Sequence, residues 1–425
     1  MASFFIPLTG LESDSTALNT IANDLANMNT TAFKGQSANF SDLFYQQIGA
    51  TGSGDPLQVG AGVQVGNIET AFTQGALNTT GNATDVALNG NGFFIVNNNG
   101  VDDYTRAGTF ALDSTGKLIS SNGEQVLGYP AAGGVVNQNA PLAPITIPVG
   151  QVEQPSATTT LNLTANLNAT SPAGTAFPAE ITVYDSLGVS HVATVTYTET
   201  GVNTWGYSVA LPAGDFTSGV SVPVTGSMSF NSSGNLVSVT PAGGAATPVG
   251  TGAGKISQIP LAFNGLADGA ANLSMKWNLL GSSGTPTISQ VDSASAVSAT
   301  VQNGYASGEY QSFAIGSDGT VTATYSNGQQ QAVGQLALAN VANLQGMNLL
   351  GNGDYATTLA SGTASVGASG TNGLGTVQDG ALEESNVNIS AEFADLIIAQ
   401  RAFEANSKAV TTFDTVTEDT INMIH

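Results

Sequence analysis

Cysteine is absent from the 425 residues, so no disulfide, thiolate nucleophile or cysteine-based metal site can form. Histidine occurs only as His191 and His425, which leaves no ordinary zinc cluster. Charge is equally scarce. Charged residues make up 9% of the chain, against roughly 25% in an average soluble domain. The seven bases, Lys34, Arg106, Lys117, Lys255, Lys276, Arg401 and Lys408, are scattered along the sequence against 30 acids, for a net charge of −23. Phosphate binding needs a local excess of cations, so neither nucleic acid nor an anionic membrane is an expected partner. No window holds 18 consecutive apolar residues, so no membrane-spanning helix is expected. The opening MASFFIPLTG lacks a basic segment followed by a long apolar run and reads as an uncleaved start, not a signal peptide.

Motifs of chemistry are missing too. Neither G-x-x-x-x-G-K-[ST] nor H-E-x-x-H occurs, and no catalytic, cofactor or metal residue is expected. Asp185, Ser190 and His191 lie together in YDSLGVSH, which reads as a turn between two strands. GNGDY and GSDGT offer one carboxylate each, where Ca²⁺ needs several oxygen ligands. Glu383 and Glu384 read as a solvated approach to a helix.

What remains is uncharged, polar and rich in turns: 52 glycines, with 41% apolar residues to build cores. The length implies two to four domains. The ends differ from the middle. Leu11, Leu18 and Leu25 recur every seven residues, with Ile21 and Met28 on the alternate seam. Ile389, Leu396, Phe403, Val410 and Ile424 repeat the heptad at the C-terminus, and Phe393 widens the stripe. No Pro or Gly interrupts the stretch from Ser390, the expected helix start, to Ile424. These spacings predict one helix at each end, paired as a coiled coil through residues 1–33 and 385–425. Packing of each helix on its own globular domain is the alternative.

Residues 34–78 and 359–384 read as connecting segments, with a possible extended strand around Leu57 to Val65. The body reads as strands and turns. Asn89-Gly90 and Asn91-Gly92 signal turns before a strand at Phe93. Phe110, Asp113, Gly116 and Leu118 mark a hairpin. A Pro-rich stretch before Gly150 suggests a boundary. The expected fold is mainly β: an inner domain of residues 79–149 and 291–358, split by an outer β domain of residues 150–290, inserted at its tip.

One stretch carries a more specific signal. NDLANMNTTAFK, ending at Lys34, resembles the bacterial flagellar rod and hook family, whose first helix ends in a motif like A-N-N-[IL]-A-N-x-x-T-x-G-[FY]-K. Asn23, Asn27, Thr30, Phe33 and Lys34 match. Asp24 stands where a second Asn is common, and Ala32 replaces the usual Gly, although Ala tolerates left-handed backbone poorly. NGNGFFIV, with Gly92 and Phe93, is similar to the next family block. YTRAGTFALDSTGK follows, with Arg106, Gly108, Phe110, Asp113 and Gly116. ALEESNVNISAEFADLIIAQRAFEANSKAV, with Asn406 and Lys408, is similar to the last. The resemblance implies a mechanical role. Many copies would build a curved, flexible, hollow tube that carries torque from rod to filament. The chain would be exported by the type III apparatus. Rod, cap and filament-junction proteins would be its partners besides itself. A distal-rod or hook-associated protein is the nearest alternative. A secreted adhesin or surface-layer protein is the alternative of another class. Under the implied role the apolar seams pack in a coiled coil, while the short polar groups of the first helix bond to neighbouring subunits or line the wet channel.

Overall fold

A computed structural model describes residues 4–50, 52 and 54–423, with the backbone alone for Gln46. The chain is mainly β, with one long helix near each end. It divides into two compact units, one of residues 1–149, 312–324 and 330–425, the other of residues 150–311 and 325–329.

In the first unit, helix α1 spans Phe5–Ala26 and helix α2 spans Ile389–Met423. Pro7 lies in the first turn of α1, where its missing N–H removes no intrahelical bond. Gly10 lies further in, where glycine weakens a helix by about 1 kcal/mol. Its absent side chain is explained by packing: a Cβ there would lie 2.6 Å from Asn406. Gly10 thus faces Asn406 on α2, while Asp24 lies near Glu392. The two helices therefore run antiparallel. Asn388, not Ser390, caps α2: its Oδ1 accepts from the Ser390 and Ala391 N–H groups at 3.1 and 3.3 Å.

Between α1 and the globular part, residues 36–70 form an antiparallel arm. Gln36–Asp42 pairs with Val63–Thr70, and beyond it Gln46–Ala50 pairs with Pro56–Val59. The alternating valines of this stretch are strand residues as expected, and they lie in two antiparallel strand pairs.

The β part of this unit interleaves segments far apart in sequence. Gln330–Asn340 pairs with Gln125–Ala132 and also with Phe93–Asn98, which in turn pairs with Val101–Thr105. Thr376–Asp379 pairs with Val86–Asn89, and Ala381–Glu383 with Leu77–Thr79. The core gathers Phe93, Ile95, Tyr104, Leu127, Ala339 and Tyr355. Phe72, Phe93 and Tyr355 meet edge to face or tilted at 5.5–6.1 Å.

The second unit packs two sheets on one core. One sheet is an antiparallel meander: Ala176–Tyr184, Ser190–Gly201, Thr204–Ala210, Val224–Phe230, Leu236–Pro241 and Thr247–Pro248. The other places Thr160–Asn168 beside Leu273–Asn278, Ile288–Val291 and Ala296–Gln302. The strand Ala296–Gln302 thus joins the sheet of the second unit, although its sequence style resembles that of the first. Strict alternation drives this packing. Along Ser190–Gly201, every second residue from His191 to Glu199 is buried. Trp205, Trp277 and Tyr197 are fully enclosed, and Tyr197 and Tyr207 both meet Trp277 edge-on.

Candidate assembly site

The first helix ends in its Asn-rich stretch for a local reason. The Asn27 amide and its Nδ2 both donate to the Asn23 carbonyl, at 3.1 and 3.0 Å, and Thr30 Oγ1 donates to Asn27 Oδ1. These groups close the free end of α1. Asn23, Asn27 and Thr30 thus hydrogen-bond to one another at their own helix end. Ala32 follows with φ of 56°, in the left-handed region. Its N–H donates to the Glu383 carbonyl at 2.7 Å. Phe33 is half-buried, and Lys34 is carried inward.

Lys34, Arg106 and Glu383 converge there. Lys34 Nζ donates to Glu383 Oε1 at 2.5 Å and to the Thr73 carbonyl at 2.9 Å. The Gly75 N–H donates to the same carboxylate oxygen at 2.8 Å. Arg106 approaches Glu383 Oε2 at 3.4 Å, donates to the Gly90 carbonyl at 2.8 Å, and lies 5.6 Å from the centre of the Phe93 ring. Burial pushes the Lys34 ammonium down, while Glu383 pulls it up. Burial likewise pushes the Tyr355 phenol up to about 12. Glu383 is 1% exposed, so the expectation of a solvated Glu383 is wrong; Glu384 is exposed as expected. The bases that looked scattered in sequence include two that share one carboxylate. This knot ties the end of α1, the strand before Arg106 and the approach to α2 to one another. Asn386 reinforces it, donating to the Ala71 and Thr73 carbonyls and accepting from the Gly35 N–H. Asp24, also buried, accepts from the Gln36 N–H at 2.7 Å.

The other motif residues shape the β frame around the knot. Gly92 has φ of 120° beside the buried Phe93. At Gly108 a Cβ would overlap the Val86 carbonyl oxygen, so the strands close only with glycine. Phe110 packs edge-on against Phe94. Asp113 Oδ1 accepts from Thr115 and Lys117 N–H groups, and the turn ends at Gly116 with φ of 81°. Hydrogen bonds from Thr115 hold the Asp113 carboxyl below its usual value.

The helix faces are arranged differently from the heptad expectation. Within the chain, α1 buries Gly10, Ser13, Thr20 and Asp24, while Leu11, Leu18, Ile21 and Leu25 are half-buried and Met28 is exposed. Asn406 donates to Asp14 Oδ2 at 2.8 Å in the contact between the helices. On α2 only Ala399 is buried, with Leu396 and Val410 half-buried. Ile389, Phe393, Ile397, Ile398 and Phe403 lie exposed, and Lys408 is exposed too. Ile424 lies outside the described residues. Small and polar side chains thus lie where the helices meet, because they let the backbones approach, while Ile389, Phe393, Ile397, Ile398 and Phe403 face outward. The arm is also apolar outside: Phe44 is 93% exposed, with Tyr45 and Ile48 beside it.

The chain has relatives. Residues 154–305 match the flagellar basal body protein FlaE D2 domain, and residues 87–166 the flagellar hook protein FlgE/F/G D1 domain. Residues 378–423 match the flagellar basal body rod FlgEFG protein C-terminal region. The flagellar hook protein FlgE of Treponema pallidum is 35% identical over 460 residues, covering 100% of this chain and 99% of that protein. That of Salmonella typhimurium is 35% identical over 441 residues, covering 99% of this chain and 100% of its own length. The chain belongs to the flagellar hook protein family. A crystal structure of Helicobacter pylori flagellar hook protein FlgE2 shares the fold with a TM-score of 0.54 at 15% identity, covering 72% of this chain and 100% of that one.

A second cluster, in the other unit, escaped the sequence reading. His191 follows the turn of YDSLGVSH, as expected. Its ring, however, faces Asp185, Asp215 and Asp268, two of which lie far downstream. Both ring nitrogens address carboxylates. No sequence spacing advertises this meeting.

Proposed function

We propose that this chain is the repeating subunit of a flagellar hook, a structural protein that polymerises with copies of itself. The observation that carries the reading is the exposed row Ile389, Phe393, Ile397, Ile398 and Phe403 on α2. An exposed apolar face of this kind marks an interaction surface, and end-to-end similarity to hook proteins supplies the partner: further copies. In this reading the antiparallel helices pair as a coiled coil completed by neighbouring subunits. The second unit is an insertion between the two parts of the inner β frame. Subunits build a hollow, curved, flexible tube that passes torque from rod to filament. The rod, cap and filament-junction proteins bound it, and the chain reaches the outside through the type III apparatus without a cleaved signal.

Phe393→Asp and Phe403→Asp test this. Each places a carboxylate where the neighbouring helix would desolvate it. Both variants are expected to remain monomeric in a sedimentation assay that pellets wild-type polymer, with melting of the β units unchanged. Curved tubes of wild-type length from both variants in negative-stain images would overturn the assignment of this face.

A further inference from the structure

Three separate segments of the second unit deliver His191 and its carboxylates to one point. Asp185 begins the turn between Ala176–Tyr184 and Ser190–Gly201, and its Oδ1 is consumed there, accepting from the Leu187 and Val189 N–H groups at 2.8 and 2.9 Å. That leaves Oδ2 to face His191 Nε2 at 3.2 Å. Asp268 is arranged alike: its Oδ1 accepts from the Ala270 N–H at 3.0 Å, and its Oδ2 lies 3.6 Å from the same nitrogen. Asp215 takes the other side of the ring, with Oδ2 2.9 Å from Nδ1. The backbone fixes these segments: the Ala267 N–H donates to the Asp215 carbonyl, and the Ala271 N–H to Ser186 Oγ. None of this depends on how the helices assemble.

We propose that His191 Nε2, Asp185 Oδ2 and Asp268 Oδ2 form a site for a divalent first-row transition-metal ion of the Zn²⁺ class, with Asp215 as the positioning residue behind the ring. Four observations carry it. The three ligand atoms all lie within 4.8 Å of one another. Ligands bound at about 2.0–2.2 Å in a tetrahedral shell stand about 3.3–3.6 Å apart, and the nitrogen–oxygen separations of 3.2 and 3.6 Å span that range. The ligand atoms of Asp185, fully buried, and Asp268 lie within 4.8 Å of each other. Two ionised carboxylates so close repel each other, and a cation between them relieves that repulsion. Among the described residues no Lys or Arg nitrogen lies within 4.0 Å of the three aspartates. The fourth is the ring itself. Asp215 Oδ2 stands 2.9 Å from Nδ1; with the proton on Nδ1, Asp215 accepts it and Nε2 offers its lone pair, the carboxylate–histidine–metal arrangement. One imidazole and two carboxylates suit Zn²⁺ or a neighbouring ion, and they leave a fourth position for water. With a neutral ring the cluster carries three negative charges, which a divalent ion reduces to one. The ion would staple the turn at Asp185 to the segments at Asp215 and Asp268. It would be a structural site with one open position, at the end of the meander.

The test uses the full-length monomer, freed of metal by a chelator and titrated separately with Zn²⁺ and Co²⁺. One equivalent of Zn²⁺ is expected to bind saturably and raise the melting temperature of the second unit. Co²⁺ is expected to show the intense visible absorption of a four-coordinate N/O site. Asp268→Asn, altered at a partly exposed position and keeping the Oδ1 that accepts from the Ala270 N–H, should weaken Zn²⁺ at least tenfold without lowering the metal-free melting temperature. Asp215→Asn should weaken it about 10- to 100-fold through the ring alone. His425→Ala should change nothing. Absence of stoichiometric binding by the wild-type chain would overturn the proposal in favour of a protonated His191 clamped by three carboxylates. So would binding indifferent to both Asp268→Asn and His191→Gln.

Discussion

The second unit and the helix pair use their apolar residues in opposite ways. In the second unit Trp205, Trp277 and Tyr197 are fully enclosed by two sheets of the same chain. On α2, Phe393, Ile397 and Ile398 are each more than half exposed, and only Ala399 is buried. Burial of a large apolar side chain contributes about 1.5–3 kcal/mol. The second unit gains this within one chain, whereas α2 gains it only when another surface covers it. One region therefore buries its apolar residues within the chain, and the other carries a face that further copies would cover in the proposed polymer.

The largest effect should come from breaking this contrast in the body. Trp277→Ala removes the ring that Tyr197 and Tyr207 pack against and is expected to cost about 3–5 kcal/mol in urea unfolding of the monomer. Phe393→Ala, removed from the exposed face, should leave monomer stability within about 0.5 kcal/mol. Equal losses from the two would mean that α2 is already covered in the monomer.

Between these extremes stands the knot. Glu383→Gln leaves Lys34 and Arg106 buried without a counter-charge and is expected to cost about 3 kcal/mol, near the low end for a broken buried pair. The loss should fall on the first unit alone, read as a shift in its unfolding midpoint with the second unit unchanged. A near-neutral Glu383→Gln would show that the hydrogen bonds from Lys34 and Gly75, and not the charge, hold the junction.

How far the sequence revealed these differences follows from the range of each interaction. Heptad spacing makes both terminal helices legible, and the absence of Pro and Gly after Ser390 adds to it for the second, since both signals are local. Alternation does the same for the meander, and Asn-Gly pairs for the turns before Phe93. Glu383 was misjudged because its partners lie 349 and 277 residues away. Next to a helix with Ser and Asn around it, a glutamate pair reads as solvated. The contact between the two helices is silent in sequence for another reason. Heptad logic favours leucine, but close antiparallel contact at Gly10 and Asn406 favours small and polar residues, which carry no periodic apolar signal. Asp215 and Asp268 reach His191 through tertiary folding alone.

The first unit should also respond to pH in a direction unusual for carboxylates. Asp103, Glu124 and Asp354 all have raised pKa values: burial is the leading cause for each, with Asp102 adding to Asp103 and Asp354 to Glu124. A carboxyl raised on folding binds more protons folded than unfolded, so stability falls as pH rises through the folded value. From neutrality down towards the ordinary carboxylate range of about 4, these three groups should stabilise the unit. Melting of the first unit is expected to rise over that interval, and Asp103→Asn to flatten the rise. Unchanged slopes in the variant would remove Asp103 from the effect.

The smallest effect is expected at Ala32, where the helix end meets the knot. Its φ of 56° is strained for alanine by about 1–2 kcal/mol. Relief of that strain in Ala32→Gly is offset by about 0.5–1 kcal/mol of extra unfolded-chain freedom. Loss of a buried methyl offsets a further share, up to about 0.8 kcal/mol. These terms nearly cancel, so Ala32→Gly should lie within about 0.5 kcal/mol of the original chain. Ala32→Val has no such compensation, because a β-branched residue in the left-handed region is an outlier. It should cost more than about 1 kcal/mol. The N–H bond from residue 32 to the Glu383 carbonyl at 2.7 Å holds the backbone in this conformation whichever side chain is present. A Gly variant as unstable as the Val variant would place the methyl contact, and not the backbone turn, at the centre of the junction. A neutral Gly beside a costly Val would show that the turn after Thr30 is imposed by the knot on a residue that tolerates it poorly.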